Sequence, residues 1–475
     1  MKYLYQLIIL ILCAFSARAQ KVTVSQDISI REDMIYDVLG ELEDRILLYK
    51  QRGQDREVDV FDLNLKYLYD QPIELEDHKT SIYAIVPQKN NFTIYYGYRD
   101  KKKFYLKAKK YDKTVNLIDS TTLINGAFDF PINQFQYDVS EDRSKTLLFA
   151  TKGTDVLTTY VLDNDSLSIV WDREHLIPNY NLRKQFRAIL VTNLGEVNAL
   201  FEIDNSKFSR DNHRMVLLGF DWKEGFYQNF IEMNDIITVD FEFDFDNKNR
   251  RIILAGLYAE ESEYNADGYF YLNEPISLLE ETTVVETVEF DLELLEELYG
   301  KKLGRKKRLN DFVTRNLILR DDGGFLLFTE MNKEYFRRSN FRGISGTGAY
   351  GGQGWVDIYN EEIIVFSLNS DGSEAWKKIF YKKQFSQDDG GIFSSYFLFK
   401  TPSRIRLIYN DEIKESSTVS EYVMDPIGNY ERNSLMSTEY QNLKLRFKNA
   451  LQVANNALIV PSEKNLTLNL VKIEY

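Results

Sequence analysis

The stretch Arg45-Ile46-Leu47-Leu48-Tyr49 is a short apolar run, and similar runs, each preceded by a polar turn, recur along the whole chain. Seven further copies lie mostly about fifty residues apart: Phe92–Tyr96, Thr146–Ala150, Val197–Phe201, Arg251–Ala255, Gly324–Phe328, Ile405–Tyr409 and Ala457–Val460. An apolar run of this length between turn residues is typical of a buried β-strand. Self-similarity at such a period indicates a propeller or a solenoid.

A second marker follows each of the first seven copies. It is an apolar residue and then Asp or Asn, at the end of the next strand: Asp62, Asp112, Asp163, Asp221, Asn273, Asn369 and Asp425. Consecutive markers are 50, 51, 58, 52, 96 and 56 residues apart. The long interval predicts insertions in the repeat that follows Asn273.

Each repeat divides into four strand-like runs with turns between them, which is one antiparallel blade. The last repeat has only three runs. The predicted N-terminal strand Lys21 to Ser25 belongs to no other repeat and can supply the fourth, which would leave no unpaired edge strand. The prediction is therefore an all-β fold, a single β-propeller over residues 20–475 with eight four-stranded blades closed by the N-terminal strand. Seven blades and two packed β domains are the alternatives.

The first nineteen residues have the pattern of a secretory signal peptide. Lys2 precedes an apolar run from Leu7 to Phe15, and Ala17-Arg18-Ala19 is a small-x-small cleavage site. Its removal would take the only cysteine, Cys13, and change the net charge from −14 to −16. We therefore expect an exported, cysteine-free acidic chain with no transmembrane segment and no nucleic-acid partner, in the periplasm, at the outer-membrane periphery or secreted.

The composition excludes a disordered chain and favours strands. Of the 475 residues, 44% are hydrophobic and only 8 are proline, and the aromatic content of 14% is high.

Two insertions account for the long interval between markers. Residues 291–310 place acids first and bases last around apolar residues at helical spacing, which predicts a short helix. Residues 336–355 form a glycine-rich loop insertion. Its string Gly346-Thr347-Gly348-Ala349-Tyr350-Gly351 matches a dinucleotide-binding pattern, but further glycines follow where that chemistry requires a helix.

Searches for metal and catalytic motifs return little. His78, His175 and His213 are far apart in sequence, and no H-E-x-x-H or G-x-S-x-G occurs. Asp240, Glu242, Asp244 and Asp246 alternate as on one face of a strand and could collect Ca²⁺, but Asp246-Asn247-Lys248-Asn249 also reads as a hairpin turn. We predict turn chemistry here, no cofactor and no catalytic residue, with Ca²⁺ as the alternative.

One segment carries a resemblance to a known family. Phe366-Ser367-Leu368-Asn369-Ser370-Asp371-Gly372-Ser373-Glu374-Ala375-Trp376 resembles a repeat of the quinoprotein-like eight-bladed propellers, in which a strand, an N/D-G turn and a Trp recur, and Val161 to Trp171 shows a weaker form. Catalytic members typically use a vicinal cysteine pair and a regular set of tryptophans, whereas the mature chain would have no cysteine and only four Trp. The resemblance implies the non-catalytic branch, whose members serve as envelope scaffolds in outer-membrane protein assembly.

We therefore predict a binding scaffold for an envelope protein or a glycan. A glycan-active hydrolase or lyase and a structural module of a larger complex are the alternatives, and the sequence leaves the oligomeric state open. In a four-stranded blade, second-strand loops and inter-blade links lie at the same end, and long loops on rigid scaffolds carry recognition. The expected binding residues at this end are Arg337, Arg338, Arg342, Tyr350, Trp355, Arg210, His213 and His175.

Overall fold

The computed structural model describes residues 20–76, 79–126, 135–177, 179–206, 212–223, 225–261, 265–279, 281–300, 308–338, 354–413, 418–439 and 442–475, without the side chains of residues 337, 338, 354 and 355. Its residues form two compact units. Among the described residues, the terminal unit comprises those within 20–73 and 384–475, and the central unit comprises those within 74–383. No helix in the described ranges is long and apolar enough to cross a membrane.

The terminal unit contains three blades, each a four-stranded antiparallel sheet. Blade 1 is β3 (Ile35–Leu42), β4 (Arg45–Arg52), β5 (Asp55–Phe61) and β6 (Tyr67–Pro72); blade 7 is β31 (Phe397–Lys400), β32 (Ile405–Asn410), β33 (Thr418–Met424) and β34 (Tyr430–Ser437); blade 8 is β35 (Leu451–Ala454), β36 (Ala457–Lys464), β37 (Thr467–Glu474) and β1 (Lys21–Val24). Short strands β2 (Ile28–Ser29) and β30 (Gln384–Gln387) and a 3₁₀ turn at Phe447–Asn449 complete the unit.

The central unit contains five blades. Blade 2 is β7 (Thr80–Pro87), β8 (Asn91–Asp100), β9 (Lys103–Asp112) and β10 (Leu117–Gly126); blade 3 is β11 (Gln136–Val139), β12 (Lys145–Lys152), β13 (Val156–Asp163) and β14 (Ser168–Leu176); blade 4 is β15 (Phe186–Val191), β16 (Val197–Ile203), β17 (Arg214–Phe220) and β18 (Phe226–Glu232); blade 5 is β19 (Ile237–Asp246), β20 (Arg251–Ala259), β22 (Gly268–Pro275) and β24 (Glu286–Glu289); blade 6 is β26 (Phe312–Leu319), β27 (Phe325–Arg338), β28 (Gly354–Leu368) and β29 (Glu374–Phe380). Eight blades of four antiparallel strands each, three of them with a further short strand, confirm the predicted eight-bladed β-propeller.

The central unit also contains elements outside the regular blades. They are α1 (Leu182–Gln185), β21 (Asn265–Ala266), a 3₁₀ turn (Ile276–Leu278), β23 (Thr282–Val284), α2 (Leu292–Tyr299) and β25 (Leu309–Asn310). The helix predicted within residues 291–310 therefore occupies Leu292–Tyr299. The strands that flank the glycine-rich insertion run longer than expected, to Arg338 and from Gly354, and residues 339–353 lie outside the described ranges.

The N-terminal strand closes blade 8, as the sequence predicts. β1 pairs antiparallel with β37, with Lys21 opposite Glu474 and Val24 opposite Val471. Val22 and Val24 pack against the cluster that includes Leu458 and Ile473. Beyond the strand, Ser25 N–H donates to the Leu470 carbonyl at 2.9 Å, and its hydroxyl accepts from Leu470 N–H at 2.9 Å. Residues more than four hundred positions apart in the chain thus share one sheet.

The marker residues end the third strand of a blade and fix the turn into the fourth. Asp62 Oδ1 accepts the backbone N–H groups of Asn64 and Lys66, both at 2.9 Å. Asp112 does the same for Thr114 and Asn116, at 2.8 and 2.9 Å. Equivalent bonds surround Asp163, Asp221 and Asp425. The sequence repeats Asp at this site because a short acceptor side chain satisfies turn amides that no strand can reach.

Candidate functional site

The structure locates the backbone of three predicted binding residues and leaves three others outside the described part of the chain. Arg337 lies opposite Trp355 and Arg338 opposite Gly354, at the end of the long β27–β28 hairpin, and their side chains are not described. Arg210, Arg342 and Tyr350 fall in ranges that the structure does not describe. Their role in binding stays a prediction.

The other two predicted residues, His175 and His213, are buried. His175 Nε2 lies 3.1 Å from Thr159 Oγ1, its ring centroid is 3.8 Å from that of Phe220, and burial, followed by the Arg173 charge, lowers its pKa to about 4. His213 lies with Nδ1 2.7 Å from the Ile236 carbonyl, to which it donates. Contrary to the sequence-based expectation, neither ring belongs to the surface described below, because Phe220 and Thr159 hold His175 inside the protein, and the Ile236 carbonyl and Glu202 hold His213 there.

His213 belongs to a polar cluster inside blade 4 that recurs in blade 6. Glu202 Oε1 lies 3.2 Å from His213 Nε2, and Glu202 Oε2 accepts from Arg187 Nε at 2.7 Å. Burial raises the pKa of Glu202, but the hydrogen bonds from His213 and Arg187 outweigh it and leave the pKa below its usual value. The pair joins a first-strand Arg to a buried second-strand Glu 15 residues later.

Blade 6 repeats this pair with a different third partner. Arg315 on β26 donates to Glu330 on β27 at 2.7 Å, again over 15 residues. Lys382 replaces the histidine, with Nζ 2.7 Å from Glu330 Oε1, and it also donates to the Asn360 carbonyl at 2.9 Å. Lys382 and Glu330 are both fully buried, and burial lowers the pKa of the lysine. These pairs anchor the second-strand ends of both blades.

The loop after the second strand of blade 5 contacts the link from blade 5 to blade 6. Second-strand loops and inter-blade links therefore lie at the same end of these blades, as the sequence predicts. Asn265 and Ala266 on β21 pair with Asn310 and Leu309 on β25. Arg308 supports the junction, since its Nε lies 2.5 Å from Asp267 Oδ1. We call this end of the blades the link face.

Helix α2 is a firmly anchored part of the link face. Asp291 caps its first turn by accepting Leu294 N–H at 2.8 Å and forms an ion pair with Lys377 at 2.6 Å. Burial raises the pKa of Asp291, but the hydrogen bonds from Lys377 and from Leu294 N–H lower it by more. The pKa of Asp291 therefore lies below its usual value. Leu294 and Leu295 are buried in the largest core cluster of the unit. The helix therefore holds a defined position relative to blades 5 and 6.

The base of the long hairpin adjoins the same link. Asn332 N–H donates to the Asp311 carbonyl at 2.8 Å, and Lys333 Nζ lies 3.1 Å from Asp311 Oδ2. Lys333 also sits 4.8 Å from the ring centroid of Tyr335, which meets Tyr359 edge to face at 5.9 Å. The hairpin thus extends from the blade with its base tied to the link.

Three exposed tyrosines lie on these anchored elements, and we call Tyr299, Tyr335 and Tyr381 the aromatic patch. Their relative solvent exposures are 41%, 44% and 42%. Tyr299 hydroxyl accepts Asn310 N–H at 3.3 Å, and Tyr381 hydroxyl donates to the Glu297 carbonyl at 3.1 Å. Phe336, on the opposite face of the hairpin, is 64% exposed. Fixed hydroxyls with exposed ring faces suit contact with a partner surface.

The carboxylate row of β19 has the turn role that the sequence predicts at its end. Asp246 Oδ1 accepts Lys248 and Asn249 N–H at 3.0 and 2.9 Å, and Asp240 Oδ2 accepts Thr314 N–H from β26 at 2.9 Å. Burial, then the charges of Asp240 and Asp244, raise the pKa of Glu242 to about 6. No group of three or more His, Cys, Asp or Glu in the described ranges is arranged to hold a metal ion.

Comparisons with known proteins identify no family for this chain. No protein-family model matches the chain, and no curated protein matches its sequence. Among solved structures, the WD40 domain of SCAP from fission yeast is similar at 10% identity and a TM-score of 0.43, covering 96% of this chain and 98% of that one. The β-propeller domain of the Trilobed protease from Pyrococcus furiosus is similar at 12% identity and a TM-score of 0.35, covering 87% and 98%. The Nup133 β-propeller domain from Vanderwaltozyma polyspora is similar at 9% identity and a TM-score of 0.35, covering 92% and 100%.

Proposed function

We propose that this chain is an extracytoplasmic β-propeller that acts as a protein-interaction scaffold and binds its partner through the link face. The observation that carries the proposal is the aromatic patch, whose three tyrosines are exposed yet fixed by hydrogen bonds or by a neighbouring lysine. The signal-peptide pattern of residues 1–19 supports export, and the resemblance of residues 366–376 to quinoprotein-like repeats supports the non-catalytic scaffold type. An envelope protein is the partner class that we propose.

Tyrosines of this kind contribute strongly to protein interfaces. A tyrosine offers a large contact area with few rotatable bonds, so little conformational entropy is lost when it is buried. Interface residues whose truncation costs more than about 2 kcal/mol are enriched in Tyr, Trp and Arg. The patch lies beside Lys333, and the predicted residues Arg337 and Arg338 follow Tyr335 and Phe336 on the same strand. The link face therefore combines exposed tyrosines with Lys333 on an otherwise acidic protein.

The proposal is tested with a double variant, Tyr335→Ala with Tyr381→Ala. Cross-linking in intact envelopes of the source cells, followed by purification and mass spectrometry, should recover a partner with the wild-type chain and lose at least nine-tenths of it with the variant, because about 2 kcal/mol is roughly a thirtyfold change in affinity. Trp222→Ala is the matched control, since Trp222 is an exposed aromatic residue in a third-strand turn. Equal recovery by the folded double variant would refute the link face as the binding surface.

A further inference from the structure

Blade 5 is unusual in the connection between its third and fourth strands. In blades 1, 2, 3, 4 and 7 the marker Asp accepts turn amides directly after the third strand. In blade 5 the marker is Asn273, whose side chain instead accepts from Arg251 Nε at 2.7 Å and donates to the Gly323 carbonyl at 2.9 Å. The chain then leaves the blade, and β23 pairs in parallel with β18 of blade 4, with Thr282 opposite Phe230.

This detour shortens the pairing between β22 and β24. The register joins Gly268 to Glu289 and ends with Tyr271 opposite Glu286. Continued by four more pairs, it would place residues 284 and 282 opposite Asn273 and Pro275, but those residues are the ones that pair with β18. Among the strands that the structure describes, residues 272–275 of β22 therefore have β20 on one side and no strand on the other.

The backbone of Asn273 faces this open side. Ile276 N–H donates to the Arg250 carbonyl at 2.9 Å, which places the even-numbered residues of β22 in hydrogen bonds with β20. The odd-numbered residues of β22 therefore face the other way, toward β24; just before β22, the Asp267 carbonyl accepts Phe290 N–H at 3.1 Å, although Asp267 N–H donates to Tyr258 on β20. Because the direction alternates along an antiparallel strand, the N–H and carbonyl of Asn273 point into the lane that β24 leaves empty. The Arg251 guanidinium donates to that carbonyl.

A groove of about 620 Å³ occupies the open lane and has walls of defined chemistry. Leu278 and Val284 supply apolar surface and are 67% and 48% exposed. Three carboxylates line the groove, from Glu274, Glu286 and Asp371. Its only cation among the lining residues, Arg251, already donates to the Asn273 carbonyl and to Ser370 O. The groove thus joins a strand edge, two apolar side chains and a surplus of negative charge.

We propose that this groove binds an extended, basic peptide segment of a partner protein, which adds to blade 5 as a strand beside β22. Strand addition of this kind takes affinity from main-chain hydrogen bonds and specificity from alternate side chains. Lysine or arginine side chains would meet Glu274, Glu286 and Asp371, and the apolar residues between them would contact Leu278 and Val284. The groove lies by the turns after first and third strands, so it is a second site, at the other end of the blades from the link face.

The first test uses a fluorescein-labelled hexapeptide of alternating Lys and Val, acetylated and amidated, with anisotropy as the readout on the full chain. Binding should saturate at one peptide per chain. Methylation of alternate peptide nitrogens, which removes the donors of an added strand, should weaken binding at least tenfold, as should replacement of Lys by Glu. Equal affinity of the methylated and unmethylated peptides would overturn the proposal, because unspecific attraction to an acidic protein does not need backbone donors.

The second test locates the site. Glu286→Lys should weaken binding of the same peptide about tenfold, whereas Asp119→Lys, which makes the same charge change on the exposed strand β10, should alter affinity less than twofold. A photoreactive benzoylphenylalanine at the centre of the peptide should cross-link to residues 272–286 or 370–372. Equal losses in the two variants, or cross-links confined to other segments, would refute the groove as the site. Loss of the link-face partner by Tyr335→Ala with Tyr381→Ala has no bearing on this binding.

Discussion

The terminal and central units are built from the same blade and differ in what connects the strands. In the terminal unit, short turns join the strands of blade 1, and the N-terminal strand completes blade 8. In the central unit, β23 of the blade 5 connection pairs with β18 of blade 4, and helix α2 lies in the link to blade 6. Strands β27 and β28 of blade 6 are 14 and 15 residues long. The difference teaches that the sheets supply stability, while the candidate binding surfaces arise where a connection departs from the repeat.

The largest expected effect breaks the terminal unit at its closure. Deletion of residues 20–26 removes the β1 ladder and the contacts of Val22 and Val24, and it should lower the free energy of unfolding by roughly 5 kcal/mol, from several backbone hydrogen bonds and two partly buried valines. The melting temperature measures the loss, and hydrogen exchange should accelerate in β36 and β37.

Lys21→Ala is the control for that deletion. Its ion pair with Glu474 is a surface contact with a lysine side chain that is 60% exposed, so the melting temperature should hardly change. A deletion variant that melts with the wild type would show that β1 does not contribute to the stability of blade 8.

A second effect separates the two related clusters inside the central unit. Glu330→Gln leaves the fully buried Lys382 without its carboxylate and should cost about 3 kcal/mol of unfolding free energy, measured by denaturant titration. Glu202→Gln in blade 4 should cost about 1 kcal/mol, because the Arg187 side chain that pairs with Glu202 is 42% exposed and water can solvate it. Equal losses in the two variants would contradict this account of the clusters.

The smallest effect concerns pH and blade 5. The pKa of Glu242 is raised by burial and by Asp240 and Asp244 to about 6, so the folded state holds this proton more tightly than the unfolded state. Its contribution to stability is complete below the ordinary value of about 4.5 and is lost as the pH rises through 6. Glu242→Gln should therefore match the wild type at pH 4 and be more stable at pH 8 by on the order of 1 kcal/mol.

Asp37 on β3 provides the comparison in the terminal unit. Burial raises its pKa too, and a bond from the Val38 N–H opposes the rise. Asp37→Asn should thus show a pH dependence of the same sign, without the contribution that neighbouring acids make at Glu242. If thermal melts of Glu242→Gln follow the wild type at every pH, the carboxylate row does not oppose folding.

The sequence was informative wherever structure is encoded locally. The apolar runs and the markers from Asp62 to Asp425 predict the blades correctly, because strand burial and turn capping depend on residues a few positions apart. The detour of β23 could not be predicted, since Thr282–Val284 is a three-residue strand that pairs with residues about fifty positions earlier. Tyr299 and Tyr381 carry no motif, and their exposure depends on how the link folds.

The sequence-based prediction placed His213 and His175 on a surface, and both are buried. The Arg-to-Glu spacing of 15 residues in blades 4 and 6 is readable from the sequence, and it recurs in blade 7 between Arg406 on β32 and Glu421 on β33. It indicates a buried Arg–Glu pair within a blade, and in blade 4 that pair is the cluster that also holds His213. His175 offered less, because an imidazole within a strand can point to either face, and only the packing against Phe220 settles its position.

The marker turns bear on the order in which the blades form. Leu65 and Val115 adopt left-handed backbone conformations, with φ of 59° and 67°, three residues after Asp62 and Asp112, where blades 6 and 7 have Gly372 and Gly428. Each such turn closes within five residues, so its third and fourth strands can find their register before any distant segment arrives. Blade 5 lacks this local closure and depends on β18 to receive β23. We therefore expect the third and fourth strands of blade 5 to pair later in folding than those of the blades that have a marker turn.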